Sequence, residues 1–166
     1  IAGGYPTYKD IEGDLEAWSR EANHLIQTHS TSYAYLVEKI LSKREGISVV
    51  YISSTGPYWK GRRSMLYASA KKCAEQMMLT ICNKFRETEN RINIVRLGAM
   101  ENAFRADEMD YDRSMHKSRV KLLPRGEPIR YKDAAKIVKF LLSDDSKVVN
   151  GNIIKADNGE SVRSSN

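Results

Sequence analysis

Three segments of the chain carry apolar residues at the three- and four-residue spacing of an amphipathic helix. They run from Asp14 to about Lys43, from Met65 to about Arg86 and from Asp133 to Leu142. Asp14 is a suitable N-cap for the first segment, and Gly46 follows its end. The pattern therefore predicts three helices, each long enough to cover one face of a sheet.

A short, mostly β-branched apolar run follows each helical segment. The runs are "ISVVYIS" at Ile47–Ser53, "INIVRLG" at Ile92–Gly98 and "GNIIKAD" at Gly151–Asp157. Continuous apolar runs of this length are typical of strands with both faces covered. Alternation of helix and strand implies right-handed crossovers, so the sequence predicts the α/β class with a parallel sheet.

Two segments do not follow either period. Residues 54–64 are rich in Gly, Pro and aromatic residues, and the polar stretch near 100–128 is long enough to predict a substrate lid. The chain shows no internal repeat and no sign of a second domain. Residues 1–166 are therefore predicted to form a single domain.

Composition narrows the class of partner. The formal charge is +6, but the basic residues are scattered and are not interleaved with aromatics, which favours a solvated surface over nucleic-acid binding. No apolar run approaches the roughly 18 residues that span a membrane. Cys73, Cys82 and the histidines show no disulfide or metal-ligand spacing. We expect a cytoplasmic protein that binds no metal, nucleic acid or membrane.

The candidate chemistry lies in Tyr-x-x-x-Lys pairs. The chain has three, Tyr5–Lys9, Tyr35–Lys39 and Tyr67–Lys71, where its composition gives about one by chance. The first lies in a Pro-containing loop and the second deep in the first helix. Only the third opens the helix after "VVYISS", which returns to the carboxyl end of that strand, where sites of α/β sheets lie. The pair Tyr67–Lys71 is therefore the catalytic candidate, and Ser54 is the hydroxyl it can meet.

The arrangement around this pair resembles the short-chain dehydrogenase/reductase family. That family has a serine after a strand and Tyr-x-x-x-Lys thirteen residues later, as Ser54 and Tyr67 are spaced here. Asn23 in "EANHL" matches the asparagine of its preceding long helix. "RINIVRLGAMEN" and the stretch from "PRGEP" to "KADNG" resemble its later segments, so the resemblance covers nearly the whole chain.

The resemblance implies a Rossmann-like doubly wound sheet, of which this chain is the part after the fourth strand. It also implies an NAD(P)-dependent oxidoreductase acting on a small ketone or secondary alcohol, with NADP favoured over NAD. "IAGG" resembles the end of the family's Asn-x-Ala-Gly motif, so we expect the chain to lack an N-terminal part with the phosphate loop. The implied cofactor-binding residues are Ala2, Gly3, Tyr67, Lys71, Gly98, Met100 and Asn102.

In the roles that the resemblance implies, Tyr67 is the general acid/base and Ser54 hydrogen-bonds the substrate oxygen. Lys71 tunes Tyr67 and holds the nicotinamide ribose, and Asn23 holds a water of the proton relay. The tuning has a physical basis. A cation about 4 Å from the phenol contributes roughly 4 kcal/mol at an effective dielectric of 20, or about three pKa units.

Substrate and assembly stay open at this stage. The loop residues Tyr58, Trp59 and Arg62 suit a phosphate-bearing acyl thioester, or they form an ordinary solvated loop. Tyr33, Tyr35, Met78 and Leu79 are left over when the core stripes are assigned, which predicts a homodimer or homotetramer. The alternatives to the oxidoreductase are a non-catalytic binding or scaffold protein with the same fold and a sugar-nucleotide epimerase or dehydratase.

Overall fold

Helices and strands alternate along the chain in the predicted order. The computed structural model describes residues 14–55, 65–101, 121 and 123–162. Each predicted helix or strand bound agrees with the structure to within two residues. The elements are α1 Leu15–Ile26, a π-helical turn Gln27–Thr31, α2 Ser32–Leu41, β1 Ser48–Ser54, α3 Met65–Lys84, β2 Arg91–Leu97, α4 Tyr131–Leu142, a 3-10 turn Asp144–Ser146 and β3 Ile153–Ala156.

The first predicted helix is interrupted. Asp14 caps its start as predicted, and its carboxylate accepts from the backbone N–H groups of Glu16 and Ala17 at 2.9 and 3.0 Å. The prediction of one continuous helix from Asp14 to Lys43 is wrong, because the π turn Gln27–Thr31 separates α1 from α2. A π turn inserts a residue into the helical ladder and occurs frequently at functional sites.

The sheet is parallel, with the order β1-β2-β3. Ser54 is in register with Leu97, and Leu97 with Ala156. The three strands therefore end at one edge, which is the edge where open α/β sheets place their ligands. The central strand β2 is buried from Arg91 to Arg96, as its apolar pattern predicts.

Helices cover both faces of the sheet. On one face, Ile92 and Ile94 of β2 pack with Ala74 and Met78 of α3. Successive side chains of a strand point to opposite faces, and Arg91 reaches the other face, where it donates to the Leu141 carbonyl at the end of α4. The α/β class and the doubly wound arrangement are thus confirmed.

The residues left over in the sequence pattern have different places in the structure. Met78 is fully buried in the core, so its assignment to a free surface is wrong. Tyr33 and Leu79 pack against the same core. Tyr35 is 65% exposed on α2. Among the described residues, no helix has both the length and the apolarity that crossing a membrane would require.

Candidate active site

The carboxyl edge of the sheet brings the end of β1 next to the start of α3. Ser54 is the last residue of β1, and Tyr67 and Lys71 lie on successive turns near the start of α3. Tyr67 and Lys71 are both half-buried. The structure therefore places both parts of the predicted pair on one helix face at the sheet edge.

The ammonium group of Lys71 lies between two tyrosine rings. Its Nζ is 5.8 Å from the centroid of the Tyr67 ring and 5.1 Å from that of Tyr51. It donates to the Tyr51 hydroxyl at 3.4 Å and to the Ile52 carbonyl at 3.2 Å. Burial lowers the pKa of Lys71 to about 8, against an opposing effect of the Glu75 carboxylate. The group is a cation close to neutral pH but loses its proton more easily than an exposed lysine.

The π turn supplies a second wall of the site. The His29 ring meets the Tyr67 ring edge-on, with the centroids 5.2 Å apart. His29 is 4% exposed, and burial, followed by the charge of Lys71 and then that of His24, lowers its pKa to about 4. The imidazole is therefore neutral at neutral pH, and it adds no second cation beside Lys71.

Tyr51 and Ser30 tie the π turn to its neighbours. The Tyr51 hydroxyl donates to the His29 carbonyl at 2.9 Å, and the Ser30 hydroxyl donates to the Ala70 carbonyl at 2.7 Å. Both hydrogen bonds join neutral groups. Burial raises the pKa of Tyr51 well above its ordinary value, so this phenol stays protonated.

A buried ion pair lies behind Lys71. The guanidinium of Arg96 makes two bonds to the Glu75 carboxylate, at 2.8 and 2.7 Å, and the Ser53 hydroxyl donates to it at 2.6 Å. Burial acts to raise the pKa of Glu75, but the hydrogen bonds from Arg96, Ser53 and Lys72 outweigh burial and lower it. A carboxylate with this many donors is held in place, which fixes the negative charge that opposes the loss of the Lys71 proton.

Sequence reasoning missed this pair, although the pattern contains a signal for it. Glu75 stands on the apolar stripe of α3, and Arg96 interrupts the apolar run "INIVRLG". Charged residues are almost never fully buried unless they are paired. Opposite charges at two core positions of adjacent elements therefore predict a buried salt bridge.

A second carboxylate, on the segment that follows β3, reaches the ends of β1 and β2. Glu160 is 4% exposed, and its Oε2 accepts from the Ala99 N–H at 2.9 Å and from the Thr55 hydroxyl at 3.4 Å. A Cβ on Gly98 would lie 2.5 Å from that oxygen and 2.9 Å from the Asp157 Cα. The absence of a side chain at Gly98 is thus required by packing within the chain.

The remaining predicted cofactor residues fall in different places. The N–H of Gly98 donates to the Ala156 carbonyl at 3.2 Å, and Met100 forms a parallel bridge with Ile129. These contacts fix the segment that leaves β2. The other predicted cofactor and substrate residues lie outside the described residues; they are Ala2, Gly3, Tyr58, Trp59, Arg62 and Asn102.

Asn23 is described, and its side chain is exposed on α1. Its backbone carbonyl accepts from the N–H of Gln27 at the end of that helix. The residue of this helical segment that contacts the Tyr67 ring is His29. The role of Asn23 stays a prediction, and the π turn brings the His29 ring against Tyr67.

Comparison with known proteins agrees with the fold described above. A family model described as enoyl-(acyl carrier protein) reductase matches residues 3–161. A probable short-chain type dehydrogenase/reductase of Bradyrhizobium diazoefficiens is 28% identical over 117 residues. The chain belongs to the short-chain dehydrogenase/reductase family. That match covers 70% of this chain and 41% of the length of the Bradyrhizobium protein.

Solved structures show the same fold as this short-chain dehydrogenase/reductase chain. One match is a putative short-chain alcohol dehydrogenase from Sinorhizobium meliloti, with a TM-score of 0.80 and 18% identity. The match covers 99% of this chain and 64% of the Sinorhizobium protein. Landomycin C-6 ketoreductase LanV with bound NADP and rabelomycin matches 98% of the chain and 60% of its own length, with a TM-score of 0.78 and 20% identity. A short chain dehydrogenase family protein from Francisella tularensis matches 98% and 69%, with a TM-score of 0.77 and 20% identity.

Proposed function

We propose that this protein is an NAD(P)-dependent oxidoreductase that reduces a ketone or oxidises a secondary alcohol. The observation that carries the proposal is the position of the Lys71 ammonium over the Tyr67 ring, at the carboxyl edge of a parallel sheet. A buried cation beside a phenol favours the phenolate, which makes the phenol a better acid. Membership of a family of dehydrogenases and reductases supports this chemistry.

In reduction, Tyr67 gives its phenol proton to the substrate oxygen as negative charge develops there. Ser54 donates a hydrogen bond to the same oxygen and orients the carbonyl. In oxidation the proton moves in the opposite direction, and the Tyr67 phenolate takes it from the substrate hydroxyl. Lys71 stabilises the phenolate form in both directions, while the neutral His29 ring excludes water from one side of Tyr67. Asn23 would act through a water, as the family resemblance implies.

The residues present fit a nicotinamide cofactor. The Lys71 ammonium has three donors, and within the described residues the Ile52 carbonyl and the Tyr51 hydroxyl accept two of them, at 3.2 and 3.4 Å. The third donor can bind a ribose hydroxyl while these two bonds stay in place. Gly98 and Met100 form the adjoining edge of the sheet. When bound, the cofactor supplies or accepts the hydride. We propose NADP over NAD, and the NADP bound by the ketoreductase LanV supports the use of a nicotinamide cofactor.

The test is a pair of tyrosine-to-phenylalanine variants of the full-length protein. Tyr67→Phe removes the phenol hydroxyl and keeps the ring, so carbonyl reduction falls by a factor of about 10³ or more while cofactor binding changes little. Tyr35→Phe is the matched control, because Tyr35 stands in the same motif on an exposed face. NAD(P)H absorbance measures the rates with a panel of small ketones, with NADH and NADPH compared. A Tyr67→Phe enzyme with most of the wild-type rate would contradict the assignment.

The alternatives are distinguished by the same assay. A binding or scaffold protein would bind NAD(P)H without turning over any carbonyl. An epimerase or dehydratase would convert a sugar nucleotide with no net consumption of NAD(P)H. The proposed assembly is a homodimer or homotetramer, and the proposed location is the cytoplasm.

A further inference from the structure

The hydroxyl of Tyr51 lies between the π turn and Lys71. It donates to the His29 carbonyl at 2.9 Å and receives the Lys71 ammonium at 3.4 Å. A phenol has one proton to give and lone pairs to accept with, so both bonds can exist together. Tyr51 is 6% exposed, and its ring packs in the core with Ala74 and Met78. The hydroxyl is therefore an acceptor held at a fixed point.

The π turn holds this hydroxyl from the other side. Its Ser30 hydroxyl is bonded to the Ala70 carbonyl, one residue before Lys71, and its His29 ring contacts Tyr67. The turn thus touches α3 at both ends of the Tyr67–Lys71 pair. A shift of the Tyr51 hydroxyl would have to break a buried hydrogen bond to this turn, which is unfavourable.

We propose that Tyr51 is a positioning residue that holds the Lys71 ammonium over Tyr67, with the π turn as its anchor. The inference deepens the proposed function and rests on it, because it assigns the residue that sets the geometry of the proposed catalytic pair. Tyr51 lies in β1, three residues before Ser54, and acts through Lys71.

The charged and titratable groups around Lys71 allow a clear expectation. Tyr51 faces it from β1, His29 from the π turn with His24 behind, and Tyr67 and Glu75 from α3. The carboxylate in this set is that of Glu75. Its oxygens already accept hydrogen bonds from Arg96, Lys72 and Ser53, so it does not take the place of the Tyr51 hydroxyl. Loss of the Tyr51 hydroxyl therefore removes a partner of the ammonium that no other group here replaces, and the charged form becomes less favourable.

Tyr51→Phe in the full-length protein tests this. The variant keeps the ring in the core and deletes only the oxygen. We expect the alkaline limb of the kcat profile for carbonyl reduction to move down by about one pH unit, with a loss of about fivefold in kcat at pH 8 and little change in KM. Tyr33→Phe is the matched control, because the Tyr33 ring contacts the Tyr51 ring at a centroid distance of 6.0 Å.

A second measurement does not depend on turnover. An amine-acylating reagent labels Lys71 only in its neutral form, and peptide mass spectrometry gives the midpoint of labelling against pH. The midpoint should fall by about one unit in Tyr51→Phe and stay unchanged in Tyr33→Phe. Should Tyr51→Phe not fold by circular dichroism, Tyr51→Met fills the same space without a hydroxyl and is held to the same expectation.

The two measurements separate the two ideas. A shifted midpoint in a protein that reduces no carbonyl supports the role of Tyr51 in placing Lys71 and contradicts the proposed function. An active enzyme whose midpoint and pH profile are the same in Tyr51→Phe and Tyr33→Phe overturns the inference and leaves the proposed function standing. A fall in thermal stability alone, with both pH readouts unchanged, also overturns it.

Discussion

The chain contains the same motif twice within the described residues, in two different settings. In Tyr35–Lys39 on α2 the lysine Nζ lies 5.5 Å from the ring centroid, and in Tyr67–Lys71 on α3 it lies 5.8 Å away. The local geometry is almost the same, since residues four apart on a helix always meet. Tyr35 is 65% exposed, whereas Tyr67 is half-buried against His29.

The difference shows that the motif by itself produces the contact between lysine and tyrosine, whereas the surroundings set the pKa and the direction of the lysine ammonium. Around Lys71, burial lowers the pKa to about 8, and Tyr51 and the Ile52 carbonyl fix the direction of the ammonium. Water screens an exposed pair, so its charges interact weakly. The interaction of Lys71 with a phenolate is stronger because less water separates the two groups.

The largest expected effect that separates the pairs is on catalysis. The Lys71 ammonium lies 5.8 Å from the centroid of the Tyr67 ring. Lys71→Met removes an interaction of about 3 kcal/mol with the phenolate at an effective dielectric of 20, so kcat/KM for carbonyl reduction should fall about 10²-fold. Lys39→Met should leave the rate within about a factor of two, since an exposed pair contributes little. Steady-state kinetics with NAD(P)H measure both. Equal losses in the two variants would remove the distinction between the pairs.

A smaller effect is expected on assembly, and it should result from changes on the exposed face of α2 that carries the Tyr35–Lys39 pair. Tyr35 and Leu36 are 65% and 56% exposed on α2, and Ile40 is 40% exposed one turn later. If this face pairs with a second copy, Leu36→Glu should weaken the dimer by about 2 kcal/mol, or roughly thirtyfold in Kd. Light scattering over a dilution series measures this, with Lys39→Met as a control. A wild-type protein that is monomeric at micromolar concentration would contradict the proposed assembly.

The smallest effect is on the pH dependence of stability. The pKa of Lys71 is lowered from 10.5 to about 8 in the folded protein. Between these values the unfolded chain holds a proton that the folded protein has lost, so this group makes stability rise with pH. The rise should amount to about 1 kcal/mol after allowance for solvent screening.

The measurement is urea unfolding of wild type, Lys71→Met and Lys39→Met at pH 7.5 and 10. The increase in the free energy of unfolding from pH 7.5 to pH 10 should be smaller in Lys71→Met than in wild type. In Lys39→Met it should equal that of wild type. Tyr51 and Cys82 have raised pKa values and act in the opposite direction, but both are present in all three proteins and cancel. A rise of the same size in Lys71→Met would show that another group causes it.

Much of this arrangement could be predicted from sequence because it depends on local patterns. Helical periodicity located α1, α3 and α4, and the β-branched runs located the three strands, since burial on one or both faces imposes those patterns directly. The spacing of Ser54, Tyr67 and Lys71 follows from one strand, one loop and one helix. Their meeting at the carboxyl edge follows from the handedness of parallel crossovers.

Contacts between distant segments could not be predicted in this way. The π turn depends on bonds from Tyr51 to His29 and from Ser30 to Ala70, which join residues 22 and 40 positions apart. The segment after β3 is held in place because Glu160 reaches Thr55 and Ala99, at the ends of two other strands. Nothing in the local sequence around these residues specifies their partners.

The sequence by itself determined the α/β class, the order of the elements and the identity of the Tyr67–Lys71 pair, because hydrophobic period and helical spacing are properties of neighbouring residues. The tertiary structure alone decided which of the similar pairs is half-buried, that His29 faces Tyr67, and that Tyr51 holds Lys71. Those features change pKa values and geometry through burial and long-range hydrogen bonds, and both arise only when the separate elements pack together.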